Sequence, residues 1–459
     1  MSKTETRGRR ALPRAATMDD FWALLSVNGF IYTATNDVWD ASVVAKLLGP
    51  TAPEALIKNK GCAQITWAPG EPRIIEDRVI MKGAWITKRG ARTYNNYVAP
   101  PVITGDEFQV DPWLKLGRKL YREQWPHIEK WFAYRVQHPE IKINHALVLG
   151  SKNQGIGKDT LIEAVRYAVG AHNCSDQGAR QVMTKVRNGH DSFLESVLLV
   201  VSEVHDLGEA RFSFYDLTKP WLAAPPATMT VSDKWIKQHP IMNLVGVIFT
   251  TNHLTDGLYL PAEDRRTYVA WNEDTGPSDF PQGFWREFYD WYENGGLQNV
   301  AAHLASLDVS DFDPKAEPPK TEAFWTIVQA NTSAEDADMA DALDRLGWLD
   351  NVRPAALTLD MLLDEASGDL AKFLSDRTKS AKAITHRLAK FGYTTVRNMD
   401  AADGYWQIGG KGGKRRVIYA LGSDRSTRDK AARELADVLN EVARTSAKMA
   451  TKTTDEFAE

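Results

Sequence analysis

Lys158 closes a glycine-bearing turn, Gly150-Ser151-Lys152-Asn153-Gln154-Gly155-Ile156-Gly157, and Asp159 and Thr160 follow it directly. An ammonium beside glycines is suited to phosphate binding. Glycine lets backbone N–H groups close on phosphate oxygens, and the lysine reaches the β- and γ-phosphates. The turn must then join a buried strand to a helix, whose N-terminus adds a favourable dipole. The flanking residues meet that demand. Ala146 to Leu149 is an apolar run of strand type, and from Lys158 to Val169 apolar residues recur at helical spacing until Gly170. A nucleotide, ATP by this reading, is expected against Asn153, Gln154, Gly155, Ile156, Gly157, Lys158, Asp159 and Thr160. Measured against the common pattern G-x-x-x-x-G-K-[ST], Lys152 stands at the first glycine and Asp159 at the hydroxyl residue. Binding of Mg²⁺ therefore falls to Asp159 or Thr160.

ATP hydrolysis needs more than a phosphate cradle, and the chain supplies candidates in order. Val197 to Val201 is a second buried strand followed by Ser202 and Glu203. An acid at such a strand end polarises the attacking water and helps hold the metal, which makes Glu203 the candidate base. The preceding position, commonly Asp, is Ser202. A third apolar strand, Leu244 to Phe249, runs into Thr250-Thr251-Asn252-His253, and Asn252 can hydrogen-bond the γ-phosphate or the water. Arg265 and Arg266 could each supply an arginine finger, to their own site or to a neighbouring subunit's. Between the second and third strands, Thr228 to Pro240 alternates like a hairpin and carries Lys234 and Lys237 around Trp235, a pattern that can grip a nucleic-acid backbone.

The elements around these residues imply several domains, since 459 residues exceed one ordinary domain. A hydrophobic content of 43% argues for packed cores rather than disorder. The net charge of −4 does not mark a nucleic-acid binder, so only local patches can make that case. Cys62 and Cys174 form neither a disulfide framework nor a zinc spacing, which suits a reducing cytoplasm. No signal peptide and no long uncharged apolar run is found, so neither export nor a membrane span is expected. Residues 1–17 read as a disordered basic arm. Residues 18–105 read as a small α+β accessory domain, with strands at Phe30–Tyr32, Ala63–Trp67 and Arg78–Met81 and without a paired-carboxylate cluster for nucleotide polymerisation. The ATPase domain is placed at 106–307. It opens with helices between Asp111 and Pro139 that bury Trp131 and Phe132, and it ends in a helical stretch where Trp285, Phe288, Tyr289 and Tyr292 share a face.

After a Pro-rich linker and a helix at 308–340, residues 341–423 give a second signal. Helical patterns from Leu359 to Leu374 precede a helix from Ser380 to Lys390. Strands at Tyr393–Arg397 and Tyr405–Ile408 follow, and then the tip Gly409-Gly410-Lys411-Gly412-Gly413. Helix, turn, helix and a basic hairpin make a winged-helix pattern. Lys379, Lys382 and Arg387 fall on or beside its recognition helix, and Lys414, Arg415 and Arg416 in its wing. Residues 424–459 read as a charged helical tail.

The order GSKNQGIGKDT, VLLVVSE, the lysine-bearing hairpin, VIFTTNH and EDRR resembles superfamily 3 helicases, and more closely the phage and plasmid primase–helicase type related to poxvirus-type replicative helicases. The resemblance implies an α/β protein with a P-loop AAA+ core, an N-terminal α+β domain and a C-terminal winged helix. It also implies a cytoplasmic, ring-forming homo-hexamer acting on single-stranded and forked DNA with ATP and Mg²⁺. Family members often carry a primase domain; the segment before Pro101 is too small and lacks its acids. A separate primase or replication initiator would then be a partner. By the same resemblance Lys158 is the loop lysine, Glu203 the acid, Asn252 the sensor, Arg265 or Arg266 the finger and Lys234 the DNA-contacting lysine. The expected function is an ATP-dependent DNA helicase or DNA-stimulated ATPase in replication of a phage, prophage or plasmid. The alternative is an ATP-switched initiator or regulator that binds duplex DNA without processive unwinding. A DNA-packaging motor is disfavoured by the Arg-Arg pair and the C-terminal winged helix.

Overall fold

In the computed structural model, which describes residues 16–204, 207, 210–233, 236–255, 257–347, 353–375, 380–410 and 413–456, a five-stranded parallel sheet positions the glycine-bearing turn. Its strands are β1 (Ala146–Ser151), β2 (Cys174–Gly178), β3 (Leu198–Ser202), β4 (Gly246–Thr251) and β5 (Thr267–Asn272). Their order across the sheet is β5-β1-β4-β3-β2, with every pairing parallel. Strands covered on both faces read as unbroken apolar runs. β1 and β4 are buried at every residue, whereas β2, at the edge, is the polar run Cys-Ser-Asp-Gln-Gly. Because all five strands run parallel, the turn that leaves the C-terminal end of β1 opens at the carboxyl edge, where open α/β sheets bind ligands.

Helices cover the sheet. α1 (Asp111–Tyr121) and α2 (Trp125–Gln137) precede it, and α3 (Lys158–Val169), α4 (Ala179–Arg187) and α5 (Arg211–Leu222) lie within the chain of crossovers. α6 (Phe284–Trp291) and α7 (Leu297–Ser306) follow the last strand. The expected aromatic core is present: Trp113, Trp131 and Phe132 are 0% exposed. The Trp113 and Trp125 rings meet edge to face at 4.9 Å, and the indole N–H groups of Trp113 and Trp131 donate to Leu161 O and His145 O. Truncating one such indole to alanine would cost about 3–5 kcal/mol. The helix predicted over 158–169 spans those residues, and Gly170, at φ +83°, ends it.

The chain divides into two compact units, residues 1–328 and 329–459. In the first, residues 21–95 form two small sheets. One is ordered Asp37–Asp40, Gly29–Tyr32, Phe21–Leu24, Gly61–Cys62; the other is Gln64–Thr66, Ala84–Asn95, Ile74–Met81. The strand at 21–24 and the helices Ala41–Leu48 and Ala52–Lys60 were not legible as periodicity, because each is nine residues or shorter. The expected hairpin between β3 and β4 is also present, as antiparallel strands Thr228–Asp233 and Ile236–Met242.

The second unit has helices Leu359–Glu365, Gly368–Ser375, Ser380–Lys390 and Arg425–Glu456. Its three-stranded antiparallel sheet is ordered Ala356–Thr358, Ile418–Ala420, Thr394–Val396, and a separate hairpin pairs Trp406–Ile408 with Lys414–Arg416. The strand at 394–396 thus pairs with 418–420, outside the hairpin at 406–416. The tail is helical through Glu456. Residues 1–15 of the basic arm lie outside the described residues, as do Asp376–Lys379 and the Lys411-Gly412 tip. Among the described residues no helix is long and apolar enough to cross a membrane.

Candidate functional site

Where β1 ends, Lys152 N donates to Asn272 O at 2.9 Å and Asn153 Nδ2 to Thr275 O at 3.1 Å, so the turn is tied to the end of β5. The Lys152 side chain leaves the loop and pairs with Glu273 at 2.8 Å, which explains how a lysine is accommodated at the usual glycine position. Gly155 (φ +71°) and Gly157 (φ +100°) bend the chain through left-handed backbone. Gly157 is doubly constrained, since a Cβ there would stand 2.4 Å from the Trp285 ring.

Lys158 begins α3 and is 9% exposed. Its Nζ donates to Ser151 Oγ and Asn252 Oδ1, and Ser151 Oγ donates to Asn153 O at 2.7 Å. Asn252, at the end of β4, and Lys158, after β1, therefore meet. Burial pushes the Lys158 ammonium down to about 8, against opposing support from the Asp159 carboxylate. A cavity of about 600 Å³ opens over the loop, and Asp159, Thr160, Glu203, Asn252, Trp285 and Tyr289 are on its wall.

Glu203 directly follows β3, exposed and with φ +56°. A non-glycine residue in left-handed backbone is costly and clusters at functional sites. Ser202 also borders the cavity, and its hydroxyl donates to Gln177 O at 3.5 Å across the β3–β2 pair. Thr160 is 5% exposed; its Oγ1 lies 2.9 Å from Tyr289 OH, and its carbonyl accepts from Tyr292 OH at 2.7 Å. Asp159 is exposed. Among the described residues no three His, Cys, Asp or Glu side chains cluster as a metal cage. Asp159 and Glu203 both border the cavity, and Mg²⁺, which keeps its waters and is shared between one or two protein carboxylates and substrate phosphates, would suit such a donor set.

No protein-family model and no curated protein matches the sequence. Solved structures do match. The apo structure of the NrS-1 C-terminal region (305–718) superposes with a TM-score of 0.54 at 14% identity, covering 88% of this chain and 96% of that one. The A form apo structure of the same region gives 0.52 over the same shares, also at 14% identity. The chain shares their fold. The X-ray structure of JCV helicase aligns over 49% of this chain and 60% of that one, with 12% identity and a TM-score of 0.27, too low to establish a common fold.

Arg265 and Arg266 sit elsewhere. They precede β5, whose first residue Thr267 pairs with Ala146, the first residue of β1. The length of β1 then separates them from the glycine-bearing turn by about 16 Å, at about 3.3 Å per residue. Neither arginine reaches the cavity of its own chain. Arg265 is exposed, while Arg266 has a buried Nε without a hydrogen-bond partner, beside Asp264, which accepts from Tyr215 OH at 2.7 Å.

Of the nucleic-acid candidates, Lys234 and Lys379 lie outside the described residues, and so do the side chains of Lys237 and Lys382. Arg387 stacks over Phe373 at 4.1 Å. Lys414 is exposed, whereas Arg415 pairs with Asp403 at 3.2 Å and Arg416 with Asp360. Trp285 and Tyr289 were missed as site residues. Their shared helical face was visible in sequence, but nothing local connects α6 to a loop more than a hundred residues earlier.

Proposed function

We propose that this chain is an ATP-hydrolysing motor on DNA, a helicase of superfamily 3 type with an AAA+ core, used in replication of a phage, prophage or plasmid. One observation carries the reading: Lys158, Asn252 and Glu203, from the ends of three different strands, border one cavity at the carboxyl edge of a parallel sheet. In this reading residues 106–307 are the ATPase domain, 18–105 an accessory domain and 341–423 a winged helix whose wing is the 406–416 hairpin.

Lys158 neutralises the phosphates, and its present acceptors, Ser151 Oγ and Asn252 Oδ1, hold it in position for them. Asn252 orients the γ-phosphate or the attacking water, and Glu203 takes the proton of that water. Mg²⁺, when bound, supplies further neutralisation of the phosphate charge. Arg265 or Arg266, out of reach of its own cavity, would act on the cavity of a neighbouring copy in a closed ring. The hairpin at 228–242 would contact the single strand.

Ser202 favours a second reading, in which hydrolysis is slow and ATP acts as a switch for duplex binding through the second unit. The deciding experiment is ATP hydrolysis with and without single-stranded DNA, for the unmodified chain, Lys158→Ala and Arg266→Ala. DNA stimulation that is lost in each variant and partly recovered on mixing them is expected. ATP binding without stimulation by DNA would leave the switch.

A further inference from the structure

We propose that Asp159 is the residue that holds the magnesium ion, and that the chain has exchanged a hydroxyl and a carboxylate between its phosphate loop and its second strand. This rests on the nucleotide-hydrolysing reading above. In the common loop a hydroxyl follows the lysine, and an acid on the second strand supplies the metal-side carboxylate. Here the two chemistries are transposed: the residue after Lys158 is the carboxylate, and the strand position before Glu203 is the hydroxyl of Ser202. Both border the same cavity, so its acid count is the ordinary one, with Asp159 and Glu203 as the pair.

Thr160 is the other candidate, and the structure withdraws it. Its side chain is 5% exposed, its Oγ1 is engaged by Tyr289 OH at 2.9 Å, and its carbonyl is fixed by Tyr292 OH at 2.7 Å. Tyr289 and Tyr292 come from the aromatic cluster of α6, where Phe288 packs against Tyr292 with ring centroids 4.9 Å apart. Turning the Thr160 hydroxyl to a metal would break the Tyr289 contact and draw a buried side chain outward. Asp159 is already exposed on the cavity wall and needs no such change. Its carboxylate also carries a consequence that a hydroxyl would not. Without the metal it faces phosphate oxygens of its own sign, so nucleotide binding becomes more dependent on the ion.

The test is equilibrium binding of ATP by calorimetry, once with Mg²⁺ and once with EDTA. The comparison covers the unmodified chain, Asp159→Asn, Thr160→Val and the double exchange Asp159→Ser with Ser202→Asp. The unmodified chain is expected to bind more tightly with Mg²⁺. Asp159→Asn should reduce that gain by at least about tenfold, the lower range for disturbing a metal site. Its affinity in EDTA should equal or exceed that of the unmodified chain, which also shows that the variant is folded. Thr160→Val should keep the gain, and the double exchange should restore it. Retention of the full gain in Asp159→Asn, or its loss in Thr160→Val alone, would overturn the assignment. If the unmodified chain binds no ATP in either condition, the nucleotide reading itself fails and the assignment falls with it.

Discussion

Among the described residues on the cavity wall, Lys158 is the one cation, and its charge is held near the edge of the working pH range. It is 9% exposed, its Nζ partners are the neutral oxygens of Ser151 and Asn252, and burial pushes its pKa from 10.5 to about 8. A bound triphosphate stabilises the charged form, so above pH 8 binding must first return a proton to the amine. Between pH 8 and 10.5, affinity should therefore fall with rising pH, by about tenfold per unit once well above 8. From pH 7 to pH 9.5 the expected loss is about 30-fold, on the order of 2 kcal/mol. Calorimetric titration with ATP in two buffers of different ionisation enthalpy reads both the affinity and the protons taken up. Close to one proton per bound nucleotide should be absorbed at pH 9.5 and almost none at pH 7. Lys158→Arg, which stays charged throughout, should flatten the profile. A wild-type affinity that changes less than about threefold over this range, or no proton uptake at pH 9.5, would refute the reasoning.

Gly157→Ala places a Cβ against the Trp285 ring in left-handed backbone, so it should lower the melting temperature of the first unit by an amount equivalent to about 1–3 kcal/mol and remove ATP binding; an unchanged melting curve would count against the packing described. Glu203→Gln should lower the ATP hydrolysis rate by about 100-fold or more while leaving ATP affinity within a few-fold, as expected for a lost general base. Loss of affinity and rate together would instead assign Glu203 to binding. His127 and His145 touch through their Nε2 atoms at 3.0 Å, and burial pushes them down to about 4 and about 3. The unfolded chain takes up these protons below pH 6.5 while the folded one does not, so stability should fall as pH drops from 6.5 towards 4. His127→Leu should make that fall shallower in chemical denaturation, and an identical slope would contradict it.

The phosphate loop was legible because its requirements are local. A strand buried on both faces is apolar throughout, a left-handed turn takes glycine, and a helix begins at the lysine; the helix boundaries at 158–169 and 380–390 follow from the same patterns. What escaped was set by distance or by edges. β2 was missed because an edge strand bordering a polar cavity has no apolar run to betray it. The pairing of 394–396 with 418–420 was missed because a chain's neighbour in a sheet is not fixed by its neighbour in sequence. Tyr289 looked like one more apolar helix position, and only the fold brings its hydroxyl to Thr160. Arg265 and Arg266 could be read as fingers, but their side of the sheet depended on the register of β5 against β1.

The hairpin at Thr228–Met242 is clamped on both flanks, on one side towards its root and on the other up to the residues just before its turn. On one side Thr66 Oγ1 donates to Pro240 O and Met242 N to Trp67 O. On the other, Ser232 N donates to Asp191 Oδ1 and Ser232 Oγ to Gly189 O, while His239 meets Glu195. Mechanically it is a braced beam rather than a free finger. A load on its tip passes as torque into the strand at 64–66 and the turn at 189–195. The small sheet that contains the strand at 64–66 therefore shares whatever load the hairpin carries.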